Sequence, residues 1–257
     1  MKGLRRKPSH ILLIWLSFCA ICIIFGPSIT ISGSTAEPTN ADSLWQKAAD
    51  IAEKNWILVP GYTVRIDRML DKDGEVESVT ELWVKHSLTD SLTIENTIVK
   101  AFLDSQQVSE EEYDQFMQFA SQDMMPENKS LFHNTPPDNP LITRTQEQQE
   151  IKGRPCIGYK YEYRLQDDEY GTVSQSGMIW IDKETGAPMY LEFVADGLPR
   201  MIKKMDGFAL YSFDPTNQTW WLEKTVTNME IKLLFVTRKM QSEVQYKDYW
   251  EYPVAQE

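Results

Sequence analysis

The stretch YTVRIDRMLDKDGEVESVTELWVK, residues 62–85, decides the fold class of this chain. Its apolar residues recur at every second position, which is the period of a β-strand with one buried side and one solvent-facing side. The alternating apolar residues are Tyr62, Val64, Ile66, Leu82 and Val84. Between the two runs, Asp71-Lys72-Asp73-Gly74 is typical of a hairpin turn. The stretch therefore predicts two consecutive antiparallel strands.

The same alternation continues over most of the remaining chain. From Ile151 onward nearly every segment has the period of a strand, as in the run that contains Met189, Leu191 and Phe193. About ten or eleven strands can be counted, and they do not alternate with helices in the βαβ manner. The sequence therefore predicts a mainly antiparallel β fold, of the all-β or α+β class, with a strongly curved sheet in a single domain.

Two helices and one long connection are predicted beside these strands. The first helix begins with Ser43 as its cap, and the second follows the capping box Ser109–Glu112. Residues 122–140 contain four prolines and join the second helix to the strands that follow. Connections of this length are often lids or binding loops, and a tolerated surface insertion is the alternative.

Residues 1–36 have the layout of an export signal. Four bases precede an apolar run from Ile11 to Phe25, and Ala36 offers a cleavage position. Retention is the alternative, because residues 11–31 are long enough to span a bilayer. Residues 37–42 then form a short tether before a single β domain over residues 43–252. The sequence thus predicts an exported, periplasmic protein that is either soluble or tethered to the inner membrane by residues 11–31.

The charge balance excludes some partners. The chain has 38 acidic and 26 basic residues, for a formal net charge of −12. Because such a protein repels phosphate backbones, binding to nucleic acid is not expected. The net charge also provides no attraction to anionic lipid surfaces.

Nothing in the sequence predicts an enzyme. Cys156 is the only cysteine outside the apolar N-terminal segment, so the exported part has no internal disulfide. The sequence lacks the short motifs of nucleophilic hydrolases, metalloproteases and nucleotide-binding proteins. No catalytic residue, metal site or cofactor is predicted. A hydrolase with a site assembled from distant residues is the least favoured alternative.

The order of motifs in the C-terminal half resembles the bacterial lipoprotein-carrier superfamily, typified by LolA, LolB and RseB. The resemblance rests on the segment 151–156, a Tyr-rich strand over 159–163, the motif Gly177–Pro188 and the aromatic cluster 246–250. It covers roughly residues 42–252. It implies an unclosed half β-barrel of about eleven strands with helices on its concave side, no catalysis, and binding of acyl chains or lipid-modified proteins. It also implies a periplasmic location, either soluble or tethered to the inner membrane by residues 11–31. The family's lid is held by an arginine; Arg65 and Arg68 lie on an early strand, and neither is assigned that role.

These observations lead to two main hypotheses. The first is an extracytoplasmic carrier or sensor that binds lipid acyl chains or lipoproteins, because the chain is rich in aromatic residues and contains 11 methionines. The cavity walls are then predicted from the alternation; the residues are Tyr62, Val64, Ile66, Leu82, Val84, Met189, Leu191 and Phe193. The second is an envelope protein-interaction or assembly factor in which side chains fill the core.

Overall fold

A computed structural model describes residues 42–55, 58–89, 93–113, 116, 131–132, 140–167, 171–233 and 236–251 of the 257-residue chain. Its regular helix is α1 (Ser43–Asn55), and a short 3-10 helix spans Glu110–Glu112. The strands are β1 (Leu58–Val59), β2 (Tyr62–Leu70), β3 (Val76–Leu88), β4 (Ile94–Leu103), β5 (Gln106–Gln107), β6 (Leu141–Ile151), β7 (Arg154–Asp167), β8 (Gly171–Asp182), β9 (Pro188–Asp196), β10 (Ile202–Asp214), β11 (Thr219–Leu233), β12 (Val236–Lys247) and β13 (Trp250–Glu251).

Eleven of these strands form one sheet in the order β5-β4-β3-β2-β12-β11-β10-β9-β8-β7-β6. Every neighbouring pair in it is antiparallel. Among the described strands, β5 and β6 lie at opposite edges and do not pair with each other, so the sheet is not closed. The mainly antiparallel β architecture predicted from the alternation is therefore confirmed.

The sheet consists of two meanders joined by a single non-local strand pair. Strands β2–β5 form one meander and strands β6–β12 form the other, each built from consecutive hairpins. The two meet where β2 pairs with β12, from Tyr62 opposite Lys247 to Leu70 opposite Lys239. At the same end of the sheet, β1, which precedes β2, pairs with β13, which follows β12.

The turn between β2 and β3 has the geometry that its sequence predicts. The Asp71 carboxylate accepts hydrogen bonds from the backbone N–H groups of Asp73 and Glu75, at 2.8 and 2.9 Å. Gly74 has φ of +91°, a left-handed conformation that glycine adopts without a steric penalty. The local sequence therefore fixes this hairpin.

Helix α1 begins where the sequence predicts it, but its cap is a different residue. The N–H groups of Leu44 and Trp45 donate to Asp42 Oδ1, at 3.2 and 3.1 Å. Asp42 therefore caps the helix, and the prediction that Ser43 does so is wrong. Both residue types suit this position, and Asp42 has further partners on the sheet.

Several predicted features lie outside the described residues. These are the N-terminal segment 1–36, most of the connection 122–140, and most of the second helix. At the predicted capping box, the Glu112 carboxylate accepts from both the N–H and the hydroxyl of Ser109, at 3.4 and 3.0 Å. Within the described part of the chain, no helix has the length and apolarity needed to cross a membrane.

Candidate ligand-binding face

One side of the sheet packs against helix α1, and we call it the helix face; the opposite side is the outer face. Trp45 of α1 lies against Tyr159 of β7, with ring centroids 5.5 Å apart. Residues directly opposite one another in a sheet point to the same side, so Tyr159 identifies a whole row of helix-face positions. That row is Tyr159, Ile179, Leu191, Ala209, Thr225, Val244, Arg65, Leu82 and Ala101.

Four methionines form a second row on the helix face. Met205, Met229, Met240 and Met69 are directly opposite one another on the adjacent strands β10, β11, β12 and β2. All four belong to the main apolar cluster, and their exposed fractions lie between 0 and 8%. With strands about 4.8 Å apart, the methionine row is about 14 Å long. Methionine side chains are flexible and polarisable, so this row can adapt to apolar groups of different shapes.

Aromatic side chains fill the space between α1 and the sheet. Trp45 contacts Phe132 at 4.6 Å between ring centroids, and Phe132 contacts Trp220 of β11 at 5.6 Å. Trp220 in turn packs edge-on against Tyr211 of β10, at 5.4 Å. Together with Tyr159, these residues form a continuous chain of rings. The helix is therefore held to the sheet by large apolar contacts in which Phe132, from the 122–140 connection, takes part.

A second apolar cluster lies on the helix face of β3 and β4. It contains Leu82, Val84, Ile98, Ala101 and Val108, all of which are buried. Val84 is opposite Ile98 and Leu82 is opposite Ala101, so the cluster follows directly from the strand register. The helix face thus has two apolar regions, one on each side of β2.

Polar side chains of β2 separate the two apolar clusters, and we call them, with their neighbours, the polar strip. The strip consists of Thr63, Arg65 and Asp67 on β2, Thr80 and His86 on β3, and Ser242 on β12, each at most 6% exposed. Arg65 Nε donates to both carboxylate oxygens of Asp67, at 3.1 and 2.9 Å. Because removing charges from water is costly, such a pair contributes little to stability by itself.

His86 is held neutral within the polar strip. With the proton on Nδ1, the imidazole donates to Asn96 Oδ1 at 2.7 Å, and Nε2 accepts a hydrogen bond from the Thr63 hydroxyl. Burial lowers the pKa of His86, and the hydrogen bond to Asn96 opposes this shift only in part. The imidazole therefore stays uncharged at neutral pH.

Asp42 connects α1 to the far edge of the sheet. Its carboxylate accepts hydrogen bonds from the Tyr159 hydroxyl at 2.8 Å and from Arg144 Nη1 of β6 at 2.6 Å. Burial raises the pKa of Asp42, but the hydrogen bonds from Tyr159, the Trp45 N–H and Arg144 outweigh burial and leave the pKa below its usual value. The carboxylate therefore remains ionised, and the N-terminus of α1 is anchored at neutral pH.

The structure brings only half of the predicted cavity residues to the helix face. Leu191 and Phe193 belong to the main cluster, and Leu82 and Val84 to the second one. Tyr62, Val64 and Ile66 are on the outer face, because their neighbours on β3 are Lys85, Trp83 and Glu81. The expectation that these three residues share a wall with Leu82 and Val84 is therefore wrong.

Met189 is also displaced from the predicted wall. A register shift in the β8–β9 ladder, between Trp180 and Ile181, changes the pairing at the start of β9. Met189 consequently packs with Cys156 and Trp180 in a small separate cluster. A role in ligand binding for Leu82, Val84, Leu191 and Phe193 stays a prediction.

The polar strip is the feature of this face that the alternation rule missed. The rule assigns the polar residues of β2 to solvent, whereas Arg65 is 3% exposed and Asp67 is 4% exposed. Arg68 lies instead on the outer face, where Nη1 donates to Glu243 Oε2 at 3.5 Å. Both sides of β2 are covered, because Val64 on the outer face is also buried. The sequence contains no local signal that distinguishes the two sides.

The second half of the motif Gly177–Pro188 forms the turn between β8 and β9. Asp182, only 1% exposed, accepts hydrogen bonds from the Glu184 N–H, the Thr185 hydroxyl and Arg154 Nη1, at 3.0, 2.7 and 2.8 Å. Gly186 takes φ of +78° in the same turn.

Nearby, burial raises the pKa of the Cys156 thiol to about 11, so this cysteine is not a reactive thiolate at neutral pH. Among the described residues, no group of three or more His, Cys, Asp or Glu side chains could hold a metal ion.

The comparisons with known proteins give only distant similarities. No family model and no curated protein matches the chain. A DUF1329 family protein from Desulfovibrio piger is 12% identical over 83% of this chain and 93% of that one, with a TM-score of 0.34. A chain of the Pseudomonas aeruginosa MucA/MucB complex is 8% identical over 83% of this chain and 100% of that one, with a TM-score of 0.22. TM-scores this low establish neither a shared fold nor a shared function.

Proposed function

We propose that this protein is an extracytoplasmic, non-catalytic carrier or sensor that binds a lipid acyl chain, or the acyl chain of a lipoprotein, on its helix face. In this proposal the sheet is a half β-barrel, α1 lies on its concave side, and the protein belongs to the lipoprotein-carrier superfamily that its motifs resemble. The protein acts in the periplasm, either free or tethered by residues 11–31.

The methionine row is the observation on which the proposal rests. Four methionines lie opposite one another on four adjacent strands, and methionine is used repeatedly at surfaces that accept varied apolar ligands. The width of the sheet also leaves room for a ligand beside α1. Eleven strands span about 48 Å, whereas a 13-residue helix such as α1 is about 20 Å long, so α1 covers only part of the helix face.

The first experiment is native mass spectrometry of the protein purified from a bacterial envelope, followed by lipid extraction. We expect a co-purifying acyl species at close to one per protein. An empty protein that also fails to take up added lipid would overturn the proposal.

Two variants on β9 then test whether lipid binds on the helix face. Leu191→Glu places a carboxylate in the main cluster and should abolish lipid retention, because a buried charge has no partner there. Val194→Glu is the matched control, since Val194 lies on the same strand, faces outward and is 43% exposed. Circular dichroism is the control that checks whether both variants keep the sheet. Retention of lipid by a folded Leu191→Glu variant would contradict the assignment.

The chain of aromatic rings favours a second candidate, an envelope protein-interaction or assembly factor with a filled core. Rings from α1, Phe132 and the sheet occupy the space beneath the helix, as a core does. This candidate predicts no bound lipid in the extraction experiment and co-purification of an envelope protein. The two candidates are thus separated by the same preparation.

A further inference from the structure

The outer face of strands β12, β2, β3 and β4 has three lysines grouped around one tryptophan. Lys247 and Lys85 lie on either side of Tyr62 in one cross-strand row. In the next row of the same face, Lys100 lies directly opposite Trp83. The three lysines are exposed, whereas Trp83 and Tyr62 are half-buried between them. We call these five residues the basic patch.

Trp83 holds two of the ammonium groups in place. Lys100 Nζ and Lys247 Nζ lie 5.4 and 5.1 Å from the centroid of the Trp83 ring, within the range of cation–π attraction. The ring is fixed in turn, because Trp83 Nε1 donates to the Glu81 carboxylate at 2.5 Å. Since these lysines are already ordered, a partner that binds them causes a smaller loss of side-chain entropy.

The positive charge of the basic patch is not compensated by neighbouring side chains. Within the described part of the chain, none of its three lysines forms an ion pair, whereas Lys224 on the same face lies 3.2 Å from Glu243. The chain as a whole has a net charge of −12, so the patch is an exception in its charge distribution. Because like charges on neighbouring strands destabilise a sheet, an anionic partner would relieve the repulsion between the lysines.

Acidic residues at the rim of the basic patch decide which anionic partner fits. Exposed Glu95 lies on the same face, opposite Ser87 in the adjoining row, and exposed Asp248 directly follows Lys247. A membrane is a continuous plane of anionic head groups, which would also meet these acids and the negative charge of the whole protein. An acidic protein segment has separate carboxylates, which can contact the lysines without meeting the rim. The patch therefore fits an acidic polypeptide better than an anionic membrane.

We propose that the basic patch is a docking site for an acidic segment of a partner protein. The carboxylates of that segment pair with Lys85, Lys100 and Lys247, and Trp83 keeps two of the ammonium groups in position. Because the patch lies on the outer face, this interaction does not depend on whether the helix face binds lipid.

Fluorescence anisotropy of a labelled peptide tests the proposal on the protein purified from a bacterial envelope. The probe is a fluorescein-labelled peptide of alternating Glu and Ser residues, and the same peptide with Gln in place of Glu is the uncharged control. We expect saturable binding of the acidic peptide only, and weaker binding as salt is added, because charges are screened over about 8 Å at physiological ionic strength. Acetylation of surface amines, followed by mass spectrometry, should show that the bound peptide protects the three lysines of the patch.

Two triple variants separate the basic patch from the net charge. The patch variant should bind the acidic peptide about tenfold more weakly, because it lacks three exposed ion pairs. The control variant loses the same charge from exposed lysines outside the patch and should bind within about twofold of the unaltered protein, because distant charges are screened. The patch variant is Lys85→Gln, Lys100→Gln, Lys247→Gln, and the control variant is Lys160→Gln, Lys203→Gln, Lys232→Gln.

Each contrary result has a definite meaning. If the acidic peptide does not bind, or binds the patch variant as tightly as the unaltered protein, the basic patch is not its docking site. An equal loss of affinity in both triple variants would show that only net charge matters, and would also overturn the proposal. Patch-dependent binding to phosphatidylglycerol vesicles, with no binding of the peptide, would make the partner a membrane instead of a protein.

Discussion

At the scale of single residues, His86 makes the stability of this protein depend on pH. The pKa of the buried imidazole is lowered from the model-peptide value of 6.5, so the unfolded chain binds this proton more readily than the folded protein does. The stabilising contribution is complete above pH 6.5 and is lost as the pH falls below it. We expect the melting temperature to decrease between pH 7 and pH 5, because this group lowers the free energy of unfolding by at most about 1.4 kcal/mol per pH unit.

The variant His86→Gln isolates this contribution. It removes the titrating group but keeps hydrogen-bonding capacity toward Thr63 and Asn96, the two partners of the imidazole. Differential scanning fluorimetry at half-unit pH steps should show a flatter profile between pH 7 and pH 5 than in the unaltered protein. Identical slopes in the two proteins would mean that His86 titrates as it does in water.

Residue-level expectations failed where tertiary contacts decide between chemically similar choices. Asp42 and Ser43 are adjacent and both suit a helix cap, and Asp42 prevails because Tyr159 and Arg144 also bind its carboxylate. Those partners are more than a hundred residues away in sequence, so no local pattern reveals them. The same holds for β2, where the buried side contains Arg65 and Asp67.

At the scale of elements, α1 is fastened at its N-terminus by the Asp42 carboxylate. Asp42→Ala removes the cap of the helix and its links to Tyr159 and Arg144 together. A lost cap costs about 1 kcal/mol, and the lost links add to this. We expect amide hydrogen exchange in α1 to accelerate roughly tenfold or more, because exchange requires the helix to open locally.

Asp50→Ala is the matched control for this change. Asp50 is an exposed acid on the same helix whose carboxylate accepts from Gln46 Nε2. Hydrogen exchange in its α1 should therefore stay close to that of the unaltered protein. Tyr159→Phe should give an intermediate acceleration, since it removes one hydroxyl and keeps the ring against Trp45. Equal exchange in Asp42→Ala and Asp50→Ala would show that packing alone holds the helix.

Elements with local sequence signals were predictable. The side of the sheet to which each of their side chains points was not. The Asp71–Gly74 turn and the alternation around it define β2 and β3 in the sequence as in the structure. The register shift near Ile181, which turns Met189 away from Leu191, depends on how β8 and β9 pair. Similarly, the motif that carries the family resemblance contains Asp182 for the sake of a turn, so its presence indicates a fold element rather than a binding site.

At the scale of the whole molecule, the two meanders of the sheet meet at the β2–β12 ladder, and the pair of Arg65 and Asp67 is buried at that joint. A buried ion pair is often no more stabilising than apolar side chains of similar size, but breaking it leaves a charge without a partner. Asp67→Leu alone should therefore lower the free energy of unfolding by about 3–5 kcal/mol.

The double variant Arg65→Met, Asp67→Leu tests whether this joint needs the charge pair for stability. It leaves no unpaired charge and places apolar side chains at both positions, so urea unfolding should give a stability within about 1 kcal/mol of the unaltered protein. A protein that remains stable without the pair would show that the joint does not need these charges to hold the meanders together. If the double variant were as unstable as Asp67→Leu alone, the pair would be required for the fold.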